Sequence, residues 1–260
     1  MAFLKMMKAL KEKGTPGGMA LGNATGDSGW TSWLIWAFGG QMVDKNNKVI
    51  IDSPETIKAL EYAKELYGTF VPGTLVVAGP EQQQSLSRRS GQRHQQRHLG
   101  LLRGQELDQD PKVKELVNDI QHASFPIGPV GVPTESHLFF NQMIMKYTKY
   151  PKAAKEFLRF MMEQEQFDAW LQGSGGYVSQ PLKAYEANKI WTVDAKHTPY
   201  RDATKNLRPS GYAGKLGYAS AGALADFIIA NMVAEAASGS KTAKEAAERA
   251  QKRAERYYKV

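Results

Sequence analysis

Between residues 76 and 109 the chain holds no Lys, Asn, Ile or aromatic residue, although the 260-residue sequence contains 5 Trp, 11 Tyr and 10 Phe. The same stretch carries 8 of the 16 Gln and 5 of the 11 Arg. Ser87-Arg88-Arg89-Ser90 and Arg93-His94-Gln95-Gln96-Arg97-His98 repeat at neither two nor 3.6 residues, so they offer no apolar face to a core. Any packed domain is built from the residues on either side.

Codon arithmetic suggests how such a stretch arises. A Gln followed by Gln, read one base later, can only give Asn or Ser. With suitable synonymous codons, Glu81 to Gln92 shifted by one base yield Asn-Asn-Asn-Lys-Ala-Phe-Leu-Ala-Gly-Gln. The same shift across Gly91 to Leu107 permits an alternating strand, an Asn-Gly turn and a Tyr pair. The expectation is an out-of-frame segment, entered near Val76–Gly79 and left near Asp108–Asp110.

The flanks read as helices with short apolar runs between them. Ser53-Pro54-Glu55 is an N-cap followed by Pro at the first helical position, and Ile57, Leu60, Ala63 and Tyr67 form a stripe. From Lys152 to about Leu171, Ala154, Phe157, Leu158, Met161 and Phe167 recur at helical spacing, ended by Gly173-Ser174-Gly175-Gly176. A third helix is expected over 219–237, and a fourth from the capping box of Thr242 and Glu245 to the C-terminus. Lys48–Ile51 and Leu138–Met145 are expected as strands, and the alternation argues an α/β class.

The N-terminus is expected as an amphipathic helix with Phe3, Met6, Met7 and Leu10 on one face. Lys5 and Lys8 interrupt its apolar run, where a secretory signal would carry no charge, so the chain as written is expected to stay cytoplasmic. No Cys is present, which excludes disulfides, thiolate metal sites and Cys nucleophiles. The net charge of +8 comes from lysines spread along the chain, a pattern of solubility more than of a nucleic-acid face. No HExxH, GxSxG, P-loop or GxGxxG occurs. His94 and His98 are four apart but have no third ligand nearby, so neither a metal nor a cofactor is expected. Glu61, Glu65, Glu163 and Glu165 read as solvated charges, not an acid–base pair. The chain is expected not to be an enzyme.

Aromatic residues carry more. Asp27-Ser28-Gly29-Trp30-Thr31-Ser32-Trp33-Leu34-Ile35-Trp36 spaces three Trp by three residues, a step that drifts around a helix. Trp33 and Trp36 are expected in the core. Trp30, beside Asp27, is the ligand candidate, because a flat indole stacks on a sugar while a carboxylate accepts hydroxyl hydrogen bonds. Gly175-Gly176-Tyr177, Gly211-Tyr212-Ala213-Gly214 and Tyr218 are similar loop-borne candidates.

Several ordered segments resemble the solute-binding proteins of bacterial ABC importers, extracellular family 1, a maltose-binding-protein-like group. They are Phe3–Gly14, Trp33-Leu34-Ile35-Trp36-Ala37-Phe38-Gly39-Gly40, Asp52-Ser53-Pro54-Glu55-Thr56, Phe125-Pro126-Ile127-Gly128-Pro129, Tyr150-Pro151-Lys152-Ala153-Ala154-Lys155-Glu156-Phe157-Leu158 and Pro181-Leu182-Lys183-Ala184-Tyr185. Each is weak alone; their order along the chain is specific. The resemblance implies a type II periplasmic-binding-protein-like fold, mostly its second lobe plus part of its first. Residues 1–135 would form the first part of the second lobe, 136–193 a return excursion into the first, and 194–260 the closing helices.

It further implies non-catalytic binding of a sugar or polyol, delivery to ABC permease subunits, a monomer, no nucleic-acid partner, and a periplasmic or extracellular setting for the family. Ligand contacts are expected at Asp27, Trp30, His137, Gly176, Tyr177, Tyr212 and Tyr218, with His137 near an interlobe crossover. Family members carry most of a first lobe ahead of where this chain begins, so binding is expected to be impaired. One alternative is nucleic-acid binding through the basic 85–103 segment, with Arg88, Arg89, Arg93 and Arg97. The other is a carbohydrate-active enzyme.

Overall fold

The computed structural model describes residues 2–22, 27–74, 119, 121–136, 141–176 and 178–259. The stretch 76–109, including His94 and His98, lies outside the described residues, as do His137 and Tyr177. The described residues fall into two compact units. The first contains 2–22, 27–74, 125–136 and 207–259; the second contains 119, 121–124, 141–176 and 178–206.

The first unit is built on helices: α1 (Ala2–Glu12), α2 (Asp27–Ala37), α3 (Pro54–Tyr67), α7 (Tyr218–Ala225), α8 (Ile228–Ser238) and α9 (Ala243–Ala254). Its α3 starts as the sequence dictates: Ser53 is extended, and its Oγ accepts from the Thr56 N–H at 3.2 Å, with Pro54 at the first position. The buried stripe of α3 is Thr56, Ala59, Leu60, Ala63 and Leu66. It packs on Ile228, Met232, Val233 and Ala236 of α8 and on the Ala246, Ala247, Ala250 and Ala254 face of α9. Alanines on α9 let it lie close to its neighbours while its other face stays charged. Its capping box is formed, with Thr242 Oγ1 accepting from Glu245 N–H and Glu245 Oε2 accepting from Thr242 N–H. In α1 the buried residues are Leu4 and Met7, whereas Met6 points to solvent.

Two expected helices are broken, each at a diverted carbonyl. The run 219–237 divides at Asp226–Phe227, where Arg253 Nη2 donates to the Asp226 carbonyl at 2.6 Å and Phe227 turns left-handed with φ 49°. Tyr218–Ser238 is long and apolar enough in composition to cross a membrane. Here the break interrupts it, and Ile228, Met232 and Val233 are buried in the core. In the second unit, 152–171 divides into α4 (Pro151–Met161) and α5 (Gln164–Gly173). The Tyr185 hydroxyl donates to the Met162 carbonyl, and Glu163 is extended with ψ 142°. Phe167 and Leu171 of α5 then form a small core with Tyr185, Ile190 and Trp191, flanked by Tyr200 and by α6 (Thr198–Ala203).

Strands are few among the described residues. Lys48–Ile51 does not form a strand: it makes one antiparallel bridge, Val49 to Val43, because Asp44 Oδ1 accepts from the Asn46 and Lys48 N–H groups and tightens the turn. Of Leu138–Met145, the described residues 141–145 are not in a strand. The named strands are β1 (Glu135–Ser136) and β2 (Leu207–Arg208), parallel, with Glu135 opposite Leu207 and Ser136 opposite Arg208. They sit where the chain leaves the first unit and where it re-enters.

Candidate functional site

Three tryptophans of α2 are buried in the first unit. Trp30 is 3% exposed; its Nε1–H donates to the Ala20 carbonyl at 2.6 Å and its ring meets Phe70 at 6.2 Å. Trp33, equally buried, stacks on Phe125 at 4.7 Å with 17° between planes and donates to the Pro126 carbonyl. Trp36 is 2% exposed and meets Tyr212 edge-on at 6.2 Å. The indole of Trp30 is thus a core group with its N–H already satisfied, not an open platform. Three-residue spacing spreads the rings around α2, and the first unit buries every side it reaches.

Tyr212, which Trp36 meets, is half-buried. It rides on the loop after β2, and that loop is clamped on two sides. At Gly211, φ is 84°, and a Cβ there would lie 2.6 Å from Ser220 Cβ and 3.0 Å from Tyr258 Oη. A Cβ at Gly214 would lie 2.3 Å from Asn47 Oδ1, and the same Asn47 oxygen accepts from the Lys215 N–H at 2.7 Å. The bare backbone at both glycines lets the loop press onto the 43–49 turn and onto α7. On that support the Arg208 guanidinium carbon lies 4.5 Å from the centre of the Tyr212 ring.

The neighbouring ladder adds polar groups. Ser136 stands opposite Arg208, so the two share a face of the two-strand ladder. Glu135 is buried, which pushes its carboxyl above the ordinary range, partly offset by a hydrogen bond from the Phe125 backbone. An aromatic ring, a guanidinium and a hydroxyl side chain beside the exit from the unit suit recognition of a polyhydroxylated molecule by stacking and hydrogen bonding.

The other expected contacts lie as follows. Asp27 is the first residue of α2, and its side chain falls outside the described residues, as do His137 and Tyr177. Gly176 closes the turn after α5 in the second unit, with φ 69° and its N–H donating to the Leu171 carbonyl. Tyr218 opens α7 and is 99% exposed. Sequence reasoning does not mark Arg208 or Glu135. Within Arg208-Pro209-Ser210-Gly211-Tyr212 the Arg is one of several loop cations, and Glu135 follows Gly131-Val132-Pro133-Thr134 with nothing to set it apart from other loop acids. Only the parallel pairing brings β1 and β2 together. Among the described residues no group of three His, Asp or Glu could hold a metal.

Comparison with known proteins gives this geometry its setting. The maltose-bound MalE3 of T. maritima superposes with a TM-score of 0.64 at 18% identity, covering 98% of this chain and 64% of that one. The cyclic α-maltosyl-1,6-maltose binding protein from Arthrobacter globiformis gives 0.65 at 16% identity, with the same coverage. These likenesses establish a MalE-like periplasmic-binding-protein fold. A probable ABC transporter-binding protein of Deinococcus radiodurans is 24% identical over 143 residues, 55% of this chain and 33% of the relative. The chain therefore spans about a third of that relative's length and under two thirds of the two solved structures. The family profile described as bacterial extracellular solute-binding protein matches residues 2–166, well over half the chain. This chain belongs to the bacterial extracellular solute-binding proteins.

Proposed function

We propose that the chain is the non-catalytic sugar- or polyol-binding component of an ABC importer, carrying part of a binding cleft and impaired as a binder. The observation that carries this is the Tyr212 ring, held by Arg208 and Trp36 on a clamped loop beside the paired strands of the chain crossing. Tyr212 and Arg208 form the wall in the first unit; Asp27, His137, Gly176, Tyr177 and Tyr218 are further contacts. Trp36, buried and edge-on to Tyr212, supports this wall from the core.

In this reading 1–135 and the closing helices form the second lobe, and an excursion from 136 returns to the first. The excursion is read as 136–193, and the separate compact unit in this part of the chain supports it. Delivery is to ABC permease subunits, outside the cytoplasm as the family description implies. The stretch 76–109 is read as out of frame, and its DNA decides that: a stop codon in the shifted frame excludes it.

The test is titration of the purified chain with maltose, maltotriose and glucitol, followed by calorimetry. One wall of a cleft leaves a sugar largely hydrated, so weak binding is expected, on the order of millimolar. Tyr212→Ala is expected to abolish it. Tight saturable binding would refute the impairment, and binding untouched by Tyr212→Ala would refute the site. Hydrolysis of the sugar would favour an enzyme instead.

A further inference from the structure

A guanidinium drawn partly out of water keeps its charge and loses hydration, so it needs an anion or hydrogen-bond acceptors in exchange. Among the described residues Arg201, Arg208 and Arg253 are the half-buried arginines. Arg201 Nε donates to Asp202 Oδ1 at 3.0 Å, and Arg253 Nη2 lies 2.7 Å from Asp226 Oδ1. The Arg208 side chain has neither a carboxylate nor an acceptor among the described residues; its contact is the Tyr212 ring. A ring attracts the cation but accepts few of its N–H groups.

Neighbouring sequence supplies no acid. From Ala203 to Ala225 there is no Asp or Glu, whereas Lys205, Arg208 and Lys215 all lie there. Among the described residues the fold brings none within ion-pair distance either. Glu135 precedes Ser136 on β1, so it points to the other face of the ladder, where it accepts from the Phe125 backbone. Asp44, in the turn on which the loop presses, spends Oδ1 on the N–H groups of Asn46 and Lys48. Arg208 is nonetheless held in place: β1 pairs with its backbone, and the ring against it is oriented by Trp36. A positioned cation with open N–H groups loses little freedom when an anion arrives.

We propose that the solute taken at the Tyr212 wall carries a carboxylate, as a uronic acid does, and that Arg208 is the residue that selects it. This rests on the solute-binding reading above and narrows it. The two carboxylate oxygens match the guanidinium fork, and Ser136, on the same face of the ladder, offers its hydroxyl to the sugar. One fixed cation balances one negative charge. A phosphate ester carries about 1.5 to 2 charges and would stay partly unneutralised.

Ligand-observed NMR titration of the whole chain tests this with glucose, glucuronate, the methyl ester of glucuronic acid and glucose-6-phosphate. Glucuronate should bind about tenfold tighter than glucose and than its own ester, which keeps the ring and loses the charge. Arg208→Gln should bring the glucuronate-to-glucose ratio to about one, and Arg208→Lys should keep part of it. Lys215→Gln, at an exposed position of the same loop, should leave the ratio as it is. Circular dichroism verifies that each variant folds. Glucuronate bound no tighter than its ester overturns the proposal and leaves the solute-binding reading standing; no binding of any probe overturns both. A preference that survives Arg208→Gln, or that Lys215→Gln removes equally, traces to the net charge of +8 and overturns the proposal as well. So does glucose-6-phosphate as the tightest probe.

Discussion

The guanidinium of Arg208 lies over the ring of Tyr212, 4.5 Å from its centre. The cation covers the ring while Trp36 meets it edge-on, so Tyr212 is oriented from two directions. Arg208→Leu keeps an apolar stem but removes the charge, and should cost about 0.5–1 kcal/mol in a half-buried setting. Urea unfolding monitored by tryptophan fluorescence measures it. A loss no larger than that of a surface Lys→Leu control would mean that the contact contributes nothing.

Gly214→Ala tests the clamp beneath that ring. The new methyl group would meet Asn47 Oδ1 at 2.3 Å and Val43 Cγ2 at 2.6 Å. Both neighbours belong to a tight turn, so the loop must lift and the Lys215–Asn47 hydrogen bond is lost. We expect a destabilisation of about 1–3 kcal/mol, with solute binding falling further than stability alone explains.

Trp33 joins α1, α2 and the 125–126 segment through Phe3, Phe125 and the Pro126 carbonyl. Trp33→Ala should cost about 3–5 kcal/mol, enough to unfold a marginal domain. Trp33→Phe keeps the stack and loses chiefly the N–H bond, about 1 kcal/mol. Thermal unfolding of the pair separates ring packing from hydrogen bonding.

Glu135 gives a pH dependence of definite sign. Burial holds its carboxyl above the ordinary range in the folded chain, so folding favours its protonated form. That contribution is present below the unfolded value, near 4.3 on the reference scale and so about pH 4, and is lost as pH rises through the raised folded value. Glu135→Gln should therefore be more stable than the wild type at about pH 7, with the difference closing towards about pH 4. Urea midpoints at both pH values read it; a gap that widens on acidification would contradict the burial.

Local grammar is the legible part of the sequence. Ser53-Pro54 and Thr242 with Glu245 start their helices as expected, since a cap acts within one turn. The helix breaks are not legible, because each depends on a distant partner: Arg253 draws out the Asp226 carbonyl, and Tyr185 that of Met162. Both segments are helical by periodicity, and tertiary contact overrides it.

The site divides in the same way. Tyr212 is visible as an aromatic between glycines, and both glycines are required by close approach. Trp30 reads as an open indole, but whether a ring faces solvent depends on Phe70 and Ala20, which no spacing within α2 reveals. Arg208 becomes meaningful only through its strand partner, Ser136, far away along the chain in a pairing that periodicity does not encode.

That pairing also sets how much the first unit depends on what lies between its two strands. Glu135 and Leu207 are neighbours, so the intervening excursion begins and ends at one place on the first unit. Closing a flexible loop costs only about 0.6 kcal/mol more for each doubling of its length. Once its ends are fastened side by side, the first unit is thermodynamically almost blind to the excursion's length, which is free to be shortened, extended or exchanged while the fastening holds.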